Sequence, residues 1–138
     1  MSTFSADGIT ITLPSSFQEE RFENGVISFS DAYSVALIMK EPFSSHPSLS
    51  HMSLEEYGQA LIQSRNMDIA VQTIHGLQCF EYETDTDDPE IQNNRFVSLY
   101  KSNTAFWIVE FVSDSREAQL HRSEFVQWAK SVRFADSE

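Results

Sequence analysis

His46 and His51 stand five residues apart in a stretch that also holds Pro42, Pro47 and four serines. Two imidazoles at that spacing could begin a zinc site or supply an acid–base residue on a lid, but a zinc site needs further ligands close by. The neighbouring sequence completes no such set, so the pair reads as solvated loop histidines that a partner could touch. Asp85, Asp87, Asp88 and Glu90 offer hard oxygen ligands of the kind calcium takes. An EF-hand loop requires glycine at its sixth position, and counted from Asp85 that position is Glu90, directly after Pro89. The run therefore reads as a solvated acidic turn. Cys79 lies between Gln78 and Phe80 in a strand-like segment, where a small thiol packs as core rather than acting as a nucleophile. No Gly-x-Ser-x-Gly elbow exposes a serine. Glu81 and Glu83 share a strand face, as paired glycosidase carboxylates sometimes do, but two adjacent same-face glutamates are more often an exposed sheet edge. The expectation is a protein without catalytic residues, metal or cofactor. Phe43, beside Pro42, differs from the aromatics Phe106, Trp107, Phe111 and Trp128, which read as core. A loop phenylalanine either plugs a sheet edge or anchors an interface.

Charge says which partners are excluded. The 138 residues carry nine Lys and Arg against 21 Asp and Glu, a net charge of −12. Residues 1–94 hold fifteen acids and three bases, while residues 95–138 hold six of each, so all of the excess lies in the first two-thirds. Such a chain repels a phosphate backbone and an anionic membrane surface, and it favours a protein partner with a basic surface. If the acidic strands and the first helix share one side, they form a single negative field. Candidate contact residues are then Phe43, His46, His51, Asp85, Asp87 and Asp88. The aromatic content of 12% argues for a packed core and against disorder. One cysteine excludes an intramolecular disulfide, and no apolar run approaches the length of a membrane span. The first residues carry neither a basic start nor an apolar run, which points to the cytoplasm. Whether the chain forms a homodimer stays open.

These residues need elements to hold them. Ile9 to Leu13 alternates with period two and stops at Pro14, as a strand does. Asn24-Gly25, flanked by Arg21-Phe22-Glu23 and Val26-Ile27-Ser28-Phe29, predicts a hairpin with a type I′ turn. Tyr33 to Lys40 has apolar residues at both alternating sets, which predicts a strand covered on both faces. Residues 41–52 read as a long Ser/Pro-rich loop. Ser53 with Glu56 predicts a capping box, and Leu54, Tyr57, Leu61 and Ile62 give the buried stripe of a helix running to about Asn66. Strands follow at Ile69 to Ile74 and Leu77 to Thr84 around His75-Gly76, then at Arg95 to Lys101 and Thr104 to Val112 around Ser102-Asn103. Asp114 and Glu117 open a last helix with Ala118, Phe125, Trp128, Ala129 and Val132 on its apolar face. One domain spanning 1–138 is predicted: an α+β, mostly antiparallel sheet flanked by helices, an α/β/α sandwich.

Residues Ile9 to Phe17, Ser53 to Tyr57, Thr73 to Glu83, Thr104 to Phe111 and Phe125 to Phe134 resemble, in that order, the opening strand, first helix, central hairpin, last strand and closing helix of the PsbP-like superfamily. That group also holds a Ran-binding nuclear import factor and DcrB-like bacterial domains. The resemblance implies binding rather than catalysis: a photosystem extrinsic subunit, a GTPase-binding factor and type VI secretion adaptor chaperones. The chain lacks the export leader of the photosystem subunits and the lipoprotein cysteine of DcrB, so neither of those roles transfers. The expected function is a non-enzymatic adaptor or chaperone-like module. The alternative is a small-molecule or lipid carrier with an apolar pocket between the sheet and the Ser53 helix.

Overall fold

The structure, a computed structural model, describes residues 1–137. Its strands are β1 (Ser2–Ala6), β2 (Ile9–Leu13), β3 (Gln18–Arg21), β4 (Ile27–Ser30), β5 (Ser34–Pro42), β6 (Gln72–Ile74), β7 (Leu77–Asp85), β8 (Gln92–Lys101), β9 (Ala105–Asp114) and β10 (Arg133–Phe134). Two α-helices, α1 (Leu54–Ser64) and α2 (Ser115–Lys130), complete the layers. Strands β3-β4-β5-β9-β8-β7-β6 form a seven-stranded sheet and β1-β2-β10 a three-stranded one. Every pairing is antiparallel. The predicted α+β sandwich is the observed fold.

The period of two along β9 explains the layering. Ala105, Trp107, Val109 and Phe111 join Phe125, Trp128 and Ala129 of α2, together with Ile9, Ile11 and Leu13 of β2, in one core. Phe106 and Ile108 point the other way and join Tyr57 and Ile62 of α1 with Phe80, Val97 and Leu99 in a second. The large sheet is therefore covered by α2 plus the small sheet on one face and by α1 on the other. The small sheet was only half legible: Ser2–Ala6 has a single large apolar residue, Phe4, and becomes a strand by pairing with Ile9–Leu13 and packing on Phe29 at 5.0 Å.

Local chemistry sets the ends of the elements. Ser53 Oγ accepts from the Glu56 amide at 3.0 Å and Glu56 Oε1 accepts from the Ser53 amide at 2.9 Å, the reciprocal box that starts α1. Asp114 starts α2 differently, accepting from the Arg116 amide and gripping the Arg116 guanidinium, so the box expected with Glu117 is replaced by an ion pair. The two-residue type I′ turn predicted at Asn24-Gly25 is a longer connection. Of that pair, only Gly25 has positive φ (86°), the Phe22 amide reaches Val26 O at 2.9 Å, and Asn24 Oδ1 accepts from Val26 N. His75 (φ 49°) and Gly76 (φ 85°) supply the left-handed pair instead. Residues 41–52 are also more ordered than a loop: Glu41 and Pro42 finish β5, and Pro47–His51 form a short 3-10 helix.

Candidate functional site

The strand register decides which of the candidate residues can act together. Pro42 pairs with Ala105, and Lys101 pairs with Phe106, so Phe43 and the 3-10 segment sit at one end of the sheet. Asp85 pairs with Gln92, and Asn93 with Asp114, so the acidic turn sits at the other end. Strands of this length separate the two ends by about 30 Å. Phe43, His46 and His51 therefore do not join Asp85, Asp87 and Asp88 in one site.

At the first end, Phe43 is half-buried with its ring edge against Phe106, 5.4 Å between centroids. Lys101 Nζ lies 5.8 Å from the Phe43 ring and 5.4 Å from the Phe106 ring, and it donates to Ser50 O at 3.0 Å and Met52 O at 2.7 Å. Tyr57 stacks on Phe106 at 4.0 Å and donates its hydroxyl to Glu41 Oε2. Burial and that carboxylate push the Tyr57 pKa well above the usual phenol range. Of the two roles open to Phe43, its contacts are those of a plug. His46 precedes the 3-10 helix without capping it, and His51 ends it; both are exposed. Among the described residues no group of three or more His, Cys, Asp or Glu side chains could hold a metal ion.

At the other end, Glu83, Asp85, Asp87, Asp88 and Glu90 are all exposed. Gln92 Nε2 donates to Asp85 Oδ1, the Glu90 amide to Asp88 Oδ1, and Thr86 Oγ1 holds the turn through Asp88 O and Ile91 O. Asp114, paired with Arg116, sits alongside, its pKa drawn down to about 2 by the Arg116 hydrogen bonds. Ser34 pairs with Ser113, which in turn pairs with Asn94, so the β4–β5 turn reaches the same end. There Asp31 Oδ1 caps the amides of Tyr33 and Ser34, and Tyr33 is 75% exposed beside an open cleft of about 480 Å³. The single negative field expected over residues 1–94 is divided, because β1 and β2 lie on the α2 side of the sheet and α1 on the other.

The sequence reading missed a buried ion cluster. Glu110, 3% exposed in mid-β9, accepts from Arg65 Nη1 at 2.8 Å, lies 3.5 Å from Arg95 Nη1, and accepts from the Tyr82 hydroxyl at 3.2 Å. Burial would lower the Arg65 pKa, but the Glu110 carboxylate outweighs it and holds the guanidinium above its ordinary value. Burial and the same carboxylate raise the Tyr82 pKa. The signal in the sequence was a lone glutamate between Val109 and Phe111. Its partners, from the residue that caps the end of α1, from β7 and from β8, are 45, 28 and 15 residues away and show no spacing.

The space between α1 and the sheet is filled where Gly58 passes. A Cβ there would meet Leu99 Cδ1 at 2.6 Å and Val71 Cγ2 at 2.7 Å. An apolar ligand has no room at that point.

No family model and no curated protein matches the chain. Among solved structures it is similar to the solution structure of cyanobacterial PsbP (CyanoP) from Synechocystis sp. PCC 6803, with 12% identity and a TM-score of 0.61 over 96% of this chain and 91% of that one. The fold is PsbP-like. At that identity the likeness extends to the fold alone. No helix among the described residues is long and apolar enough to cross a membrane.

Proposed function

We propose that this chain is a non-enzymatic protein-interaction module, an adaptor or chaperone-like domain that acts in the cytoplasm on a partner with a basic surface. Kinship with the DcrB-like domains and the Ran-binding factor belongs to this reading. The observation that carries it is the convergence at one sheet end of the Asp85–Glu90 turn, Asp31 and the exposed Tyr33. A concentrated negative field steers a cationic patch and raises its association rate, although screening over about 8 Å in physiological salt leaves it little affinity by itself. Tyr33 supplies the apolar anchor in place of Phe43, whose ring is engaged by Phe106 and Lys101. A ligand-carrying role draws no support from the packed Gly58 layer.

The test begins with capture of a partner from native lysate and its identification. The purified partner is then titrated against wild type, Tyr33→Ala and Asp87→Asn/Asp88→Asn at low and high salt. Weaker binding in both variants and at high salt is expected. An affinity indifferent to salt and to both variants overturns the reading.

A further inference from the structure

The two edges of the seven-stranded sheet are defended unequally. Every residue of β3 is exposed and the strand carries Glu19, Glu20 and Arg21, charges that deter pairing by another chain. The opposite edge, β6, reads Gln72, Thr73, Ile74 and carries none. The left-handed His75-Gly76 turn makes Ile74 and Leu77 the hydrogen-bonded closing pair. In an antiparallel ladder the next pair, Thr73 and Gln78, then points its amides outward. The exposed Thr73 thus presents both an N–H and a C=O to the open edge.

Beside that edge, on the α2 side, lies an open cleft of about 340 Å³ lined by Ile74, His75, Arg122, Ser123 and Val126. Ile74 and Val126 form its half-buried apolar floor, and no carboxylate lines it. Arg122 is 45% exposed; its Nη2 meets Glu81, while Nε and Nη1 have no partner among the described residues. Exposed Lys130 follows Val126 by one helical turn on the same flank.

We propose that the β6 edge and this cleft bind an extended segment of a partner protein in which carboxylates alternate with apolar side chains. The segment adds to β6 through Thr73, and its period of two puts every second side chain over the α2 cleft. Apolar groups fill the space over Ile74 and Val126, and carboxylates meet Arg122 and Lys130. A second copy of this chain fits less well, because pairing two β6 edges brings two such basic flanks together. The site lies at the opposite end of β7 from the acidic turn and stands or falls independently of it.

The probe is a random-peptide phage library selected on the immobilised full chain, followed by titration of the enriched peptide into the ¹⁵N-labelled protein. Enrichment of Asp and Glu alternating with apolar residues is expected, with shifts centred on Thr73, Ile74, Arg122 and Val126. Arg122→Glu and Val126→Asp should each weaken binding about tenfold or more. N-methylation of the peptide amide that faces Thr73 should abolish binding while leaving the protein untouched. Thr73→Pro removes an amide that β7 does not use, and its melting temperature reports whether the fold survives. Failure to enrich, enrichment of uncharged or basic peptides, shifts elsewhere, or indifference to Arg122→Glu and to N-methylation overturns the proposal. So does peptide-free dimerisation abolished by Thr73→Pro, which assigns the edge to a second copy.

Discussion

Replacing Glu110 by Gln removes one charge from a cluster that has two cations and one anion. The carboxylate is 4% exposed, and its partners Arg65 and Arg95 are 24% and 27% exposed. Breaking a fully buried pair from one side costs about 3–5 kcal/mol, because the remaining charge stays desolvated. Water reaches roughly a quarter of each arginine side chain, and the Gln amide oxygen still accepts from Tyr82, so the cost falls at or below the lower end of that range, about 2–3 kcal/mol. For a chain of this size that corresponds to a fall in Tm of about 7–10 °C. Thermal melts and guanidinium titrations of wild type, Glu110→Gln, Arg65→Met and the double variant measure it. The double variant should be less destabilised than the two singles added together, with a coupling of about 1 kcal/mol or more, since removing both partners abolishes the orphaned charge. Additive single effects, or a Glu110→Gln protein melting within about 1 °C of wild type, would refute the argument.

Trp128→Ala should cost about 3–5 kcal/mol, because the indole is 6% exposed and packs on Phe17, Phe111 and Phe125; an unchanged denaturation midpoint counts against it. Gly58→Ala should cost about 1–3 kcal/mol from overpacking on Leu99 and Val71, with no loss if α1 stands off the sheet. Asp114 has its pKa lowered from 3.8 to about 2 by its hydrogen bonds to Arg116, so its contribution is present above pH 3.8 and lost as pH falls towards 2. Asp114→Asn keeps a helix cap without the charge and should flatten the Tm profile in that window. Equilibrium dialysis should find neither zinc nor calcium bound stoichiometrically; one tightly held ion per chain, lost in His46→Ala/His51→Ala or Asp87→Asn/Asp88→Asn, would overturn the reading of both segments.

Much of this architecture is written in short-range chemistry. The capping box at Ser53 and Glu56, the His75-Gly76 turn and the apolar stripe of α2 depend on neighbours within a turn or a hairpin, and local sequence shows them. The double-sided packing of β5 was legible too, because apolar residues occupy both alternating sets of Tyr33 to Lys40. Weak strands were not: β1 and β10 exist because β2 offers them an edge, and Gln92 to Asn94 extend β8 because Asp114 and Ser113 lie opposite. The same division holds for the candidate site. Composition and spacing establish the chain's acidity, the incomplete metal-ligand motifs and the residue types available for contact. Folding places Phe43 and the Asp85–Asp88 turn at opposite ends of the sheet, leaves Tyr33 exposed where Phe43 is half-buried, and brings Arg65 to Glu110 across 45 residues of chain. Strand register and layer stacking set those distances, and both arise from burying two sheet faces at once, a constraint that acts on the whole chain rather than on any window of it.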